Sequence, residues 1–151
     1  MFNVILFQPE IPPNTGNIIR LCANTNSTLH LIEPLGFDID EKSLRRAGLD
    51  YHKHISLLSY QTIEECIVSL GDTRCFALST KGTTRYSEIK YIKNDTFIFG
   101  PETRGLPDSI LKSRTIKDVL KIPMYKDSRS LNLSNAVSIV IYEAWRQAQF
   151  S

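Results

Sequence analysis

The chain has 151 residues, 42% of them hydrophobic and 23% charged, with a net charge of +2. That balance is ordinary for one globular domain spanning residues 1–151. It excludes a disordered segment, a collagen-like array and the strongly basic footprint of many nucleic-acid binders.

The start, Met1 to Phe7, has no basic stretch ahead of its apolar run, and Gln8-Pro9-Glu10 ends that run. A secretory signal is therefore not expected. No apolar run approaches the length of a membrane span, so the expected location is the cytoplasm. Residues 2–7 predict a buried strand. Residues 14–26 predict a helix, with Pro12-Pro13 ending the extended segment and Asn14 as N-cap. Cys22 is the first of three cysteines, with Cys66 and Cys75. No two sit at metal-ligand spacing, so reduced core residues are expected and no zinc site.

Residues 28–32 predict a second strand, 42–47 a short helix ended by Gly48, and 60–70 a helix closed by Gly71. Strands follow over 74–78 and 96–99. Pro107 opens a short helix over 107–112. A strand over 119–122 is broken by Pro123, and a last helix runs from Asn132 to about Gln149. Short continuous apolar strands alternating with helices predict an α/β domain with a mostly parallel sheet. Ligands in such sheets bind beyond the carboxyl ends of the strands. The loops after Phe7, Phe99 and Ile122 carry unusual residues there. In the last helix, Leu133, Ala136, Val137, Val140, Ile141 and Ala144 form one stripe, and Ile139, Tyr142 and Trp145 widen it. So little polar surface favours a second buried face, against a partner subunit in a two-fold homodimer.

Three constellations could carry chemistry. In Pro13-Asn14-Thr15-Gly16-Asn17-Ile18-Ile19-Arg20, the spacing puts Asn17, Arg20 and Asn24 on one helix face. This suits a phosphate or ribose, and equally the polar face of an amphipathic helix. In Phe99-Gly100-Pro101-Glu102-Thr103-Arg104-Gly105, glycine admits close backbone approach, and Glu102 either pairs with Arg104 or serves a ligand. In the stretch from Ile122 to Ala136, Ser130, Asn132, Ser134 and Asn135 exceed what one helix cap needs. There is no G-x-G-x-x-G and no P-loop, which disfavours a Rossmann-type nucleotide enzyme.

Together the segments Glu10 to Arg20, Arg45 to Tyr51 and Ser128 to Val137 resemble the SPOUT superfamily of RNA methyltransferases. Within it, they are similar to the enzymes that methylate the wobble ribose of tRNA. The likeness extends from Gln8 through Trp145. It implies a parallel-sheet α/β fold with a deep trefoil knot in the C-terminal half, and a homodimer. It also implies transfer of a methyl group from S-adenosylmethionine, without a metal, to a ribose 2'-hydroxyl of the tRNA anticodon stem-loop. The expected substrates are the wobble cytidine or modified uridine of leucine tRNAs, and the product is S-adenosylhomocysteine. Carried over residue by residue, Leu78, Gly100, Ile122, Pro123, Ser130 and Leu131 surround the cofactor. Arg20, Asn14, Glu102 and Asn132 form the catalytic set. In related enzymes the match of Arg20 is proposed as base. A guanidinium is effectively always charged, so stabilising an alkoxide or clamping a phosphate are the other roles open to it. Arg45, Arg46, Lys81, Arg104 and Arg129 are candidate RNA phosphate contacts. A different RNA substrate and a non-catalytic RNA-binding dimer are the competing expectations.

Overall fold

Residues 1–38 and 57–151 are described by the computed structural model. The chain runs β1 (Asn3–Phe7), α1 (Pro12–Thr25), β2 (Thr28–Ile32), β3 (Leu57–Tyr60), α2 (Ile63–Leu70), β4 (Cys75–Leu78) and β5 (Thr84–Arg85). A 3-10 turn (Tyr86–Glu88) leads on to β6 (Thr96–Phe99), α3 (Asp108–Leu111), β7 (Ile116–Lys121) and α4 (Leu133–Gln147). Among the described residues the strands form one sheet in the order β3-β2-β1-β6-β4-β7-β5. Every pairing is parallel. The chain returns twice to insert a strand between two already laid down, β6 between β1 and β4, then β7 between β4 and β5. That order is consistent with the knotted path the resemblance implies.

Side chains alternate across each strand, so one strand feeds two cores. Val4, Leu6, Leu29, Leu31, Phe97 and Phe99 face α1 and α4, meeting Ile18, Cys22, Val137, Val140 and Ile141. Ile5, Ile32, Cys75, Ala77 and Ile98 face the other way, toward Ile63 and Cys66 of α2 and Ile110 of α3. Burial on both faces is why the strands read as continuous apolar runs. All three cysteines are free thiols in these cores, and burial pushes the Cys22 thiol up to about 12. No helix among the described residues is long and apolar enough to cross a membrane.

The elements differ from expectation in particular places. The α1 helix starts at Pro12, not at Asn14, and Ile11 occupies the N-cap position. Two prolines fit the first turn because its N–H groups have no partner within the helix. The predicted 60–70 helix divides into the end of β3 and α2. Thr62 caps α2 by accepting from the backbone N–H of Glu65 at 3.2 Å, and Glu65 answers by accepting from Gln61 N–H at 3.2 Å. The short β3 and β5 have no apolar alternation to announce them, and neither was expected. The predicted 42–47 helix lies outside the described residues.

Candidate active site

Strands β4, β6 and β7 end side by side, and the loops that leave them enclose a cleft of about 410 Å³. Its lining comes from residues 78–81, 99–106 and 122–136. A volume of roughly 300–1,000 Å³ at this edge of a parallel sheet is usual for a small-molecule site. Of the residues expected around a cofactor, Leu78, Gly100, Ile122, Ser130 and Leu131 line it, and Pro123 does not. Met124, Leu133 and Ala136 add apolar wall that was not foreseen.

Glycine is required at position 100 by the path of its own loop. A Cβ there would lie 2.5 Å from the carbonyl carbon of Gly105 and closer still to the backbone nitrogen of Leu106. The loop turns back through Gly105, whose φ of +68° favours glycine, and Gly105 N–H donates to the Pro101 carbonyl at 2.9 Å. Backbone, rather than side chain, is thus presented to the cleft.

The three constellations are joined by a single run of hydrogen bonds. The Glu102 carboxylate accepts from the backbone N–H of Glu10 at 2.8 Å and of Ile11 at 3.0 Å. It also accepts from the Asn14 amide at 3.2 Å. Asn14 Oδ1 in turn accepts from Asn132 Nδ2 at 2.9 Å. Asn132 then caps α4, its Oδ1 accepting from Ser134 N–H at 2.9 Å and Asn135 N–H at 3.3 Å. Glu102 therefore ties the two residues that lead into α1, and Asn14 in its first turn, to the loop after β6. A carboxylate suits the positive end of a helix. Of the two roles left open for Glu102, pairing with Arg104 is not what the structure shows. Arg104 instead lies 3.7 Å from Glu10, whose carboxylate also accepts from the Thr103 hydroxyl at 2.9 Å. Glu10 was not singled out in the sequence. It stands just past the end of β1, where an acid facing the next loop is the one available signal.

Asn17, Arg20 and Asn24 are exposed along one face of α1 while Ile18, Leu21 and Thr25 are buried, as their spacing predicts. Arg20, Asn14 and Asn132 are not part of the cleft lining, whereas Glu102 is. The basic residues assigned to RNA divide. Lys81, Arg104 and Arg129 line the same cleft as the cofactor candidates. Arg45 and Arg46 lie outside the described residues. Lys81 sits 3.3 Å from Asp108, which also takes Lys112 at 3.6 Å. The Lys81 hydrogen bond and charge, with Lys112 behind them, hold the Asp108 carboxyl below its usual range. Among the described residues no three His, Cys, Asp or Glu side chains converge as a metal site would need.

The sequence profile of the SpoU rRNA Methylase family matches residues 1–142. A protein of Escherichia coli strain K12, named tRNA (cytidine(34)-2'-O)-methyltransferase, is 56% identical over 147 residues, covering 97% of this chain and 94% of its own. A protein of the same name from Methylovorus glucosotrophus is 52% identical over 151 residues, covering 100% of this chain and 98% of its own. A solved structure described as giving structural insights into the 2-OH methylation of C/U34 on tRNA superposes with a TM-score of 0.93 at 41% identity. The match covers 100% of this chain and 98% of that one. With its parallel sheet, its carboxyl-end cleft and this match along nearly its whole length, the chain belongs to the SpoU rRNA Methylase family.

Proposed function

We propose that the protein methylates the ribose 2'-hydroxyl of the wobble nucleotide, cytidine or modified uridine, of tRNA, using S-adenosylmethionine. Leucine tRNAs are the substrates to try first. The observation that carries this reading is the Glu102–Asn14–Asn132 run. It fastens the helix bearing Arg20 to the two loops that wall the cleft.

The residues present fit the methyl donor. Gly100, whose loop path admits no side chain, offers only backbone to the cleft, and apolar Leu78, Ile122 and Leu131 line it too. Bound there, S-adenosylmethionine supplies a methyl group on a positive sulfur and leaves as S-adenosylhomocysteine. The chain's own task is alignment and charge management. Holding reactants in line can supply roughly 7–11 kcal/mol of a barrier. Glu102 and Asn132 are positioning residues, because their hydrogen-bonding atoms are engaged with backbone and Asn14. Arg20, permanently charged, stabilises the negative charge that builds on the 2'-oxygen as it takes the methyl group, the hydroxyl proton being released to water. Lys81, Arg104 and Arg129 at the cleft meet the RNA backbone, which predicts binding that weakens with added salt.

Residues 1–151 act as one domain in a cytoplasmic homodimer. Support for the dimer comes from the outer face of α4, where Tyr142 is 45% exposed and packs on Trp145. Trp145 in turn stacks edge-on with Phe150, itself 56% exposed. The test is incubation with labelled S-adenosylmethionine and leucine tRNA lacking the wobble methyl, with the label mapped by nuclease digestion and mass spectrometry. Label on the wobble 2'-oxygen is expected. Label on another nucleotide would discard the substrate, and no cofactor binding would favour an RNA-binding module.

A further inference from the structure

The loop between β7 and α4 displays an aromatic ring that neither core uses. Tyr125 is 86% exposed, the most open aromatic among the described residues. Its neighbours are committed to the cleft: Met124 before it and Arg129, Ser130 and Leu131 after it form part of the lining. The position of Tyr125 is held by a turn, its carbonyl accepting from Ser128 N–H at 2.9 Å. Lys126 and Arg129, both exposed, outweigh Asp127 in this stretch. A single exposed tyrosine on a surface needs no explanation. One held in a turn beside cleft-lining residues, followed within four residues by two cations and with Lys81 and Arg104 on the same cleft, fits one partner chemistry. Unpaired nucleotides offer a flat apolar base to an aromatic ring and a phosphate to each neighbouring cation.

We propose that Tyr125 is a stacking platform for an unpaired RNA base adjoining the ribose that enters the cleft, with Lys126 and Arg129 on the flanking phosphates. This rests on the RNA methyl-transfer reading above and adds to it a base contact from the loop after β7. Because every base has a stacking face, the contact contributes affinity and register rather than base identity.

The experiment uses the full chain and an anticodon stem-loop RNA. Binding is read by fluorescence anisotropy and methyl transfer by KM and kcat, for the wild type and for Tyr125→Phe, Tyr125→Leu and Tyr125→Ala. Loss of stacking on one base weakens binding by about 5- to 150-fold. The leucine and alanine variants should weaken RNA binding and raise KM within that range, with kcat and cofactor affinity by calorimetry retained. Phenylalanine should behave as wild type. Wild-type RNA binding by Tyr125→Ala would overturn the proposal, as would rescue by leucine equal to that by phenylalanine. A changed sedimentation coefficient in the alanine variant would overturn it too, in favour of a protein interface. A wild type that methylates RNA while Tyr125→Ala is unaffected removes only this proposal. A wild type that neither binds nor methylates RNA removes the broader reading as well.

Discussion

The two ends of the sheet are both rich in hydrogen bonds, and the cleft described above lies at the carboxyl end. At the amino end, the Asp95 carboxylate is 1% exposed and fully engaged. It accepts from Arg74 Nε at 2.7 Å, from Arg74 Nη2 at 2.5 Å and from Ile92 N–H at 2.8 Å. Asn3 donates to Asn94 Oδ1 at 3.2 Å and to Thr96 at 3.3 Å, and Thr96 meets Thr73 at 2.8 Å. Farther along, midway in β2, His30 stands between Asn3 at 3.5 Å and the Tyr60 hydroxyl at 3.3 Å. These groups answer one another. At the carboxyl end, Glu102, Asn14 and Asn132 also answer one another, but they brace the walls of a cleft that is open to a ligand. A polar network by itself therefore marks order, and the concavity beside it marks function.

The largest expected effect that would break this contrast is on chemistry. Arg20→Ala should lower kcat by about 10²–10³-fold, the usual range for loss of one group that stabilises a developing oxygen anion, with cofactor affinity by calorimetry unchanged. Wild-type turnover would remove Arg20 from the mechanism. Next comes stability at the amino end. Asp95→Ala leaves the Ile92 N–H and the partly exposed Arg74 without their buried acceptor and should cost about 1–3 kcal/mol in urea unfolding. The part of the population that remains folded should bind the cofactor normally; weakened binding there would mean the two ends are not separate.

A smaller effect sharpens the contrast through pH. Burial pushes the His30 pKa from 6.5 down to about 4. Between those values the unfolded chain holds a proton that the folded chain refuses. Stability is thus fully present above pH 6.5, falls as the pH is lowered toward 4, and loses on the order of 1–3 kcal/mol. Subtracting the pH profile of His30→Asn from that of wild type isolates the term, and superimposable profiles would refute it. Smallest is Gly100→Ala. The added methyl must displace the 100–106 loop, so cofactor affinity should fall roughly tenfold, about 1.4 kcal/mol. Its urea midpoint should move less than that of Asp95→Ala.

Much of this was legible in the sequence because local signals carried it. The runs 28–32 and 96–99 are bounded as expected, and Asn132 caps α4 as its position suggests. What was not legible depends on partners distant in sequence. Asn14 looks like a local N-cap, but the N–H groups before it are satisfied by Glu102, so the helix can begin two residues earlier, at Pro12. Glu102 and Arg104 look like a pair at short range, and each is taken by residues 8–14 instead. β3 owes its place to pairing with β2, which no pattern within residues 57–60 reveals.

The most direct test is to titrate the isotopically labelled protein with S-adenosylmethionine and follow its backbone amides by NMR. Shifts should concentrate in residues 78–81, 99–106 and 122–136, extend more weakly to Asn14, and leave Asn3, Arg74 and Asp95 unmoved. Shifts centred on the amino end of the sheet, or none at saturating cofactor, would contradict the assignment of the carboxyl-end cleft as the site of methyl transfer.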